Sequence, residues 1–122
     1  RIAIRKKHFQ AYTESLNKLP GISFMPISDE GLPNYWLSCL IMDDSQTKVT
    51  RDALINICDQ ASIEVRPTWK PLHLQTVFQA NQKFGGAISE GLFNRGLCLP
   101  SGSSLTDQER DKVISILTSA LS

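Results

Sequence analysis

The residues best equipped for chemistry lie in one stretch, Ile63 to Phe78, which holds Arg66, Thr68, Trp69, His73 and Gln75 together with Pro67 and Pro71. No simple helical or strand period accounts for it, and irregular aromatic-bearing segments of this kind tend to carry function on a scaffold. Arg66 offers a planar charged fork that fits a phosphate or a carboxylate. Trp69 can stack on a ring or wall a pocket, and its indole N–H needs an acceptor when buried. Pro67 and Pro71 would hold the loop extended and reduce the entropy lost when it orders around a ligand. On an extended chain His73 and Gln75, two apart, point the same way. The alternative is a proline-rigidified turn, with Trp69 plugging the core and His73 hydrogen-bonded internally. Residue chemistry leaves both open.

Other chemistries find less support. No serine sits in a GxSxG turn, and the only histidines are His8 and His73, so no nucleophile faces a base oriented by a carboxylate. Asp43 and Asp44 are adjacent at a strand end, where an extended backbone turns them apart. Lys70 and Lys83 lack the surroundings of a Schiff-base lysine. Gly85-Gly86 reads as a flexible break in a surface loop over 81–86, because neither GxGxxG nor GK[ST] accompanies it. Cys39, Cys58 and Cys98 are scattered and odd in number, which suggests reduced core thiols in a cytosolic setting. No CxxC or Cys/His cluster suggests a metal site.

These residues need a scaffold, and the hydrophobic pattern supplies one. Ile2, Phe9, Tyr12, Leu16 and Leu19 fall mostly three and four apart, which predicts an amphipathic helix stopped by Pro20-Gly21. Arg1, Arg5, Lys6, Lys7 and His8 occupy its other faces, as a solvated surface, as a face that meets a missing N-terminal part, or as an anion-binding patch. A connector with a short apolar piece, Ile22 to Ile27, leads to Tyr35–Met42, apolar on both faces and expected to be central in a sheet. Thr50 caps a second helix carrying Asp52 in its first turn and Leu54, Ile57, Cys58 and Ala61 as a buried stripe. A strand is expected at Ile63-Glu64-Val65. A short helix follows at Ile88–Arg95, ended by Gly96 in a left-handed conformation, then a strand at Leu97-Cys98-Leu99. Thr106 and Glu109 form a capping box for a last helix with Val113, Ile114, Leu117 and Leu121 on one face. The order predicts an α/β (α+β) domain spanning 1–122, a small sheet of short strands with helices packed on it.

Composition agrees with that class. A chain of 122 residues can bury a modest core without disulfides or metal. Lys plus Arg number 13 and Asp plus Glu 12, a net charge of +1 that gives no reason to expect a nucleic-acid or membrane partner. No apolar run approaches a membrane span. The chain begins at Arg1 directly in a helical pattern with no cap, which suggests a cut inside a longer protein.

Two blocks carry a family resemblance. Glu64-Val65-Arg66-Pro67-Thr68-Trp69-Lys70-Pro71-Leu72-His73-Leu74-Gln75 resembles a signature of the sugar-nucleotide aminotransferases, the DegT–StrS group of fold-type-I pyridoxal-phosphate enzymes. Gly96-Leu97-Cys98-Leu99-Pro100-Ser101-Gly102-Ser103-Ser104-Leu105-Thr106 resembles a second block. Asn34-Tyr35-Trp36-Leu37 and Thr50-Arg51-Asp52-Ala53-Leu54 fit the same region in the right order. The chain departs from the pattern at Ala61-Ser62, where members often have glycine, and at Thr76, where many have proline.

The resemblance implies the C-terminal small domain of a longer, cytoplasmic enzyme, a homodimer when complete. Such an enzyme transfers an amino group, with glutamate as usual donor, to a keto sugar carried on a nucleotide, for surface-polysaccharide or glycan synthesis. Pyridoxal phosphate and its lysine would belong to a larger N-terminal domain. This chain would then hold no catalytic, cofactor-binding or metal-binding residue and would be inactive alone. The resemblance places Arg66, Thr68, Trp69 and His73 at or beside the substrate wall, with Gln75 in support. The competing expectation is a free-standing, non-catalytic ligand-binding or interaction module on the same scaffold.

Overall fold

The computed structural model describes residues 1–122. Its elements run α1 (Ile2–Leu16), β1 (Ile22–Phe24), β2 (Ser38–Met42), α2 (Arg51–Gln60), β3 (Arg66–Pro67), α3 (Ala87–Arg95), β4 (Gly96–Leu99) and α4 (Asp107–Leu121). Two 3-10 turns, Leu72–Leu74 and Thr76–Phe78, lie between β3 and α3. The strands form one antiparallel sheet in the order β1-β2-β4-β3, so β2 is central as expected. The predicted class, short strands with helices packed on them, is the one observed.

Strand alternation sorts the side chains by face. Ser38, Leu40 and Met42 of β2, with Leu97 and Leu99 of β4, are buried on one side beneath Tyr12, Leu16, Leu54, Val113 and Leu117. Three helices make that layer, with α1 and α2 each packed on α4. Cys39, Ile41, Cys98 and Ser23 belong to the opposite face, where α3 and loops give only partial cover. The helices therefore leave one sheet face free to build a site.

The caps hold α2 and α4 where the sequence predicts. The Thr50 hydroxyl accepts from the Ala53 amide at 3.3 Å. In α4 the Glu109 amide donates to Thr106 Oγ1 at 3.2 Å, and the Thr106 amide donates to the Glu109 carboxylate at 2.8 Å. Each such cap satisfies amides that would otherwise lack partners, a contribution of about 1 kcal/mol. Tyr12, on α1, donates its hydroxyl to the Pro100 carbonyl at 2.9 Å and so ties the first helix to the end of β4.

Four local expectations give way. The buried face of α1 is His8, Tyr12 and Leu16, while Ile2 stands 58% exposed, so His8 belongs to the core and not to a solvated basic surface. β2 begins at Ser38, later than Tyr35, because Tyr35 takes φ +52° and Asn34 accepts the Trp36 amide at 2.9 Å, a turn that no ladder can continue through. Ile63 and Val65 are buried in the core, but the paired residues are Arg66 and Pro67, after the turn at Ser62 with φ +59°. Gly96 does not end α3 in a left-handed conformation. It is extended, with φ −90° and ψ 141°, and opens β4 directly.

Gly96 is glycine for a different reason. A Cβ there would stand 2.2 Å from Thr68 Oγ1 and 2.4 Å from the Leu92 carbonyl oxygen, far inside contact distance. The close approach of three segments demands the missing side chain.

Candidate functional site

On the helix-poor face, Trp36 and Trp69 lean together with ring centroids 6.2 Å apart and planes at 45°. Trp36 immediately precedes β2, and Trp69 follows β3, so the sheet brings together residues far apart in the chain. The rings remain 57% and 60% exposed, and Met25, Ile27 and Leu32 beside them are also exposed. Folding alone gains nothing from such a patch, which is the usual mark of a binding surface.

Trp69 borders three cavities. One, of about 440 Å³, lies between it and the 25–36 loop, with Phe9, Tyr35 and Trp36 in its walls. Another, of about 610 Å³, runs from Met25 and Ile41 to Leu92 and Arg95 on α3. The last, of about 410 Å³, reaches from Trp36 past Cys98 to Arg66 and Ser101. Phe9 reaches the first cavity through Tyr35, ring centroids 5.4 Å apart, so α1 reaches the site as well as the core. The arrangement is an aromatic ridge bordered by one groove that Arg66 lines and another that Arg95 lines. It can hold a planar or apolar group against the rings and an anion at their edge.

The five residues singled out from sequence divide into two groups. Arg66 and Trp69 lie at the grooves, Arg66 paired with the exposed Glu64 carboxylate, Nε to Oε1 2.8 Å. Thr68 lines the groove beside Arg95, but its hydroxyl donates to the Leu92 carbonyl at 2.9 Å and its amide to the Gly96 carbonyl at 3.2 Å, bracing α3 against β3. His73 lies away from the Trp pair, its Nε2 2.7 Å from Glu90 Oε1 on α3. Gln75 turns back to donate to the Lys70 carbonyl at 3.2 Å. His73 lies within the 3-10 turn Leu72–Leu74 and Gln75 caps its end, so the two do not share a face as they would on an extended chain. Trp69 is not a core plug, which disposes of half the turn-only alternative; the internally bonded His73 is the half that holds.

Glu90 organises the second group. Its hydrogen bond with His73 holds its carboxyl below the ordinary range, with help from Lys83, whose ammonium is 3.6 Å away. Gly86, with φ +117°, packs against the imidazole, and a Cβ there would meet His73 Cε1 at 2.9 Å. The loop from Lys70 to Gly86 is thus clamped onto the start of α3.

Comparison with known proteins now decides the family. The sequence profile of the DegT/DnrJ/EryC1/StrS aminotransferase family matches residues 1–118. The chain belongs to that family. It is 36% identical over 121 residues to the putative pyridoxal phosphate-dependent aminotransferase EpsN of Bacillus subtilis, covering 96% of this chain and 30% of the relative. It is 26% identical over 121 residues to GDP-perosamine synthase of Caulobacter vibrioides, covering 98% of this chain and 32% of that one. The fold superposes on DesI, solved in the presence of its TDP-sugar product, with TM-score 0.85 at 24% identity, over 95% of this chain and 30% of DesI. The chain spans about a third of the length of these relatives.

A DegT-family chain invites a test for its cofactor, and the residues present do not fit pyridoxal phosphate. No lysine lines any of the three cavities around Trp69. Lys83 is 56% exposed and pairs with Glu90. The turn at Gly86, the one glycine pair ahead of a helix, is filled by the His73 ring.

Sequence reasoning missed Trp36, Arg95 and the Cys39–Cys98 pair. Trp36 reads as one more apolar residue in a strand, and only the left-handed turn at Tyr35 takes it out of the sheet. Arg95 reads as the last polar residue of a short helix. No local signal marks either one.

Proposed function

We propose that this DegT-family chain is the substrate-side part of a pyridoxal-phosphate-dependent aminotransferase that acts on a nucleotide-linked keto sugar, with glutamate as amino donor. The observation that carries the reading is the exposed Trp36–Trp69 pair, set at the junction of three grooves with Arg66 and Arg95 on its flanks. A nucleotide-sugar has the matching parts: a flat base, a less polar sugar ring and a dianionic diphosphate. The relatives' names, GDP-perosamine synthase and DesI with its TDP-sugar product, point to the same substrate class.

In this reading Trp69 and Trp36 bind by contact area, at low entropic cost because each has few rotatable bonds. Arg66 and Arg95 neutralise the substrate's charge. Thr68 and the His73–Glu90 clamp position the loop and α3 and do not touch the reacting atoms. Gln75 supports the same loop by holding the Lys70 carbonyl. The cofactor, its lysine and the glutamate site would come from outside this chain, in a protein that works in the cytoplasm as a homodimer and supplies amino sugars for surface polysaccharide. No helix of the chain is long and apolar enough to cross a membrane.

The test is a transamination assay on the polypeptide that carries this chain, with glutamate and a panel of nucleotide-linked keto sugars. Formation of 2-oxoglutarate that requires the nucleotide-sugar is expected, and residues 1–122 alone should give none. Turnover with free keto acids but with no nucleotide-linked sugar would overturn the proposal.

A further inference from the structure

Cys39 and Cys98 are register partners on the adjacent strands β2 and β4, 59 positions apart in sequence, and their sulfurs are 3.5 Å apart. The hydrogen-bond pattern fixes the kind of pair. The Met25 amide donates to the Cys39 carbonyl, so the backbone polar groups of Cys39 point toward β1 and away from β4. The Thr68 amide donates to the Gly96 carbonyl, and by alternation the groups of Cys98 likewise point toward β3. The two cysteines therefore form a non-hydrogen-bonded antiparallel pair. In such pairs the Cα atoms approach to about 4.5 Å, inside the span a disulfide can bridge.

Both sulfurs lie on the helix-poor face. Cys39 is buried at the floor of the grooves beside Trp36 and Trp69, and Cys98 is half-buried in the groove that holds Arg66. Cys58, the remaining thiol, is fully buried in the core beneath the helices and is not bonded to Cys39 or Cys98.

We propose that Cys39 and Cys98 form a redox-modifiable dithiol, which a hydroperoxide closes into a disulfide across β2 and β4. Cys98 is the attacking group. It is the more accessible of the two, half-buried where Cys39 is buried, and a hydrogen bond between the two thiols favours its thiolate. The Cys98 thiolate attacks one oxygen of hydrogen peroxide, the O–O bond breaks, and hydroxide leaves to give the Cys98 sulfenic acid. Cys39, already in contact, gives up its proton and attacks the Cys98 sulfur. The S–O bond breaks and water leaves. In sum, two thiols lose two electrons and two protons, and one peroxide becomes two waters.

The experiment uses the reduced polypeptide that carries this chain, treated under native conditions with hydrogen peroxide, alkylated, digested and mapped by mass without reduction. The expected product joins the Cys39 and Cys98 peptides with the loss of two hydrogens, leaves Cys58 alkylated, and reverts with dithiothreitol. Cys58→Ser should give the same product, and Cys39→Ser should divert Cys98 to its sulfinic acid. Irreversible sulfinic acid on Cys98 in the unsubstituted protein, a link that involves Cys58 or a second chain, or two unmodified thiols would each overturn it.

Discussion

Gly96 and Thr68 meet without room for a methyl group: a Cβ on Gly96 would lie 2.2 Å from Thr68 Oγ1. The same Thr68 hydroxyl bonds to the Leu92 carbonyl, so this contact sets how closely α3 approaches β3. Gly96→Ala must push α3 or the Thr68 loop outward. Overpacking of this kind costs about 1–3 kcal/mol. Urea denaturation should show that loss, and Thr68→Ser in the Gly96→Ala background should recover little of it, because Oγ1 is the nearest atom.

Ser62 holds φ +59° in the turn that leads to Ile63. A left-handed non-glycine residue costs roughly 1–2 kcal/mol, and glycine's extra unfolded-state entropy offsets part of that. Ser62→Gly is therefore expected to stabilise by about 0.5–1 kcal/mol, read as a rise in melting temperature. A lower melting temperature would show that the strain is relieved elsewhere.

His8 sits in the α1–α4 interface, 1% exposed, with no hydrogen-bond partner for either ring nitrogen. Burial, then the Arg110 guanidinium, and more weakly Lys7 hold its pKa below 6.5, while Asp107 and the Leu105 backbone pull the other way. The neutral ring is thus the folded form. The unfolded chain takes up a proton as pH falls through 6.5, while the folded chain does not until its lower value is reached. Stability is full above that window and declines across it as pH falls. Denaturation curves from pH 8 to pH 5 should show this decline, and it should be smaller in His8→Phe.

The His73–Glu90 pair clamps the Lys70–Gly86 loop, and its linkage has the same sign as that of His8 for a different reason: here the fold favours the charged form. The Glu90 carboxyl is held below its usual 4.5, mainly by the His73 hydrogen bond. Its contribution is present above pH 4.5 and is lost as pH falls through the lowered value. The melting-temperature gap between the unsubstituted protein and Glu90→Gln should therefore close as pH falls from 4.5 through the lowered value. Hydrogen exchange across residues 70–86 should rise in the variant, while the core of α4 stays protected.

Much of the fold was legible because it rests on local rules. The Thr106–Glu109 box, the Thr50 cap and the 3.6-residue stripes of α2 and α4 depend on residues within one or two turns of each other. What failed depended on distant neighbours. His8 looks like part of a basic face until α4 covers it. Gly96 looks like a helix stop until Thr68 is known to press on it. The site shows the same division: Arg66 and Trp69 stand out by residue type, whereas Trp36 is placed by the left-handed turn at Tyr35 and the Cys39–Cys98 contact by strand register, which no spacing in the chain encodes.

In the proposed function Trp69 holds the sugar-side substrate and takes no part with the amino donor. Single-turnover kinetics of the two half-reactions, in the intact polypeptide carrying Trp69→Ala, test it most directly. Losing a base- or sugar-sized aromatic contact should weaken the nucleotide-sugar half-reaction about 5- to 150-fold, from a stacking contribution of roughly 1–3 kcal/mol, and leave the glutamate half-reaction unchanged. Equal losses in both half-reactions, with the far-ultraviolet spectrum and melting temperature intact, would contradict it.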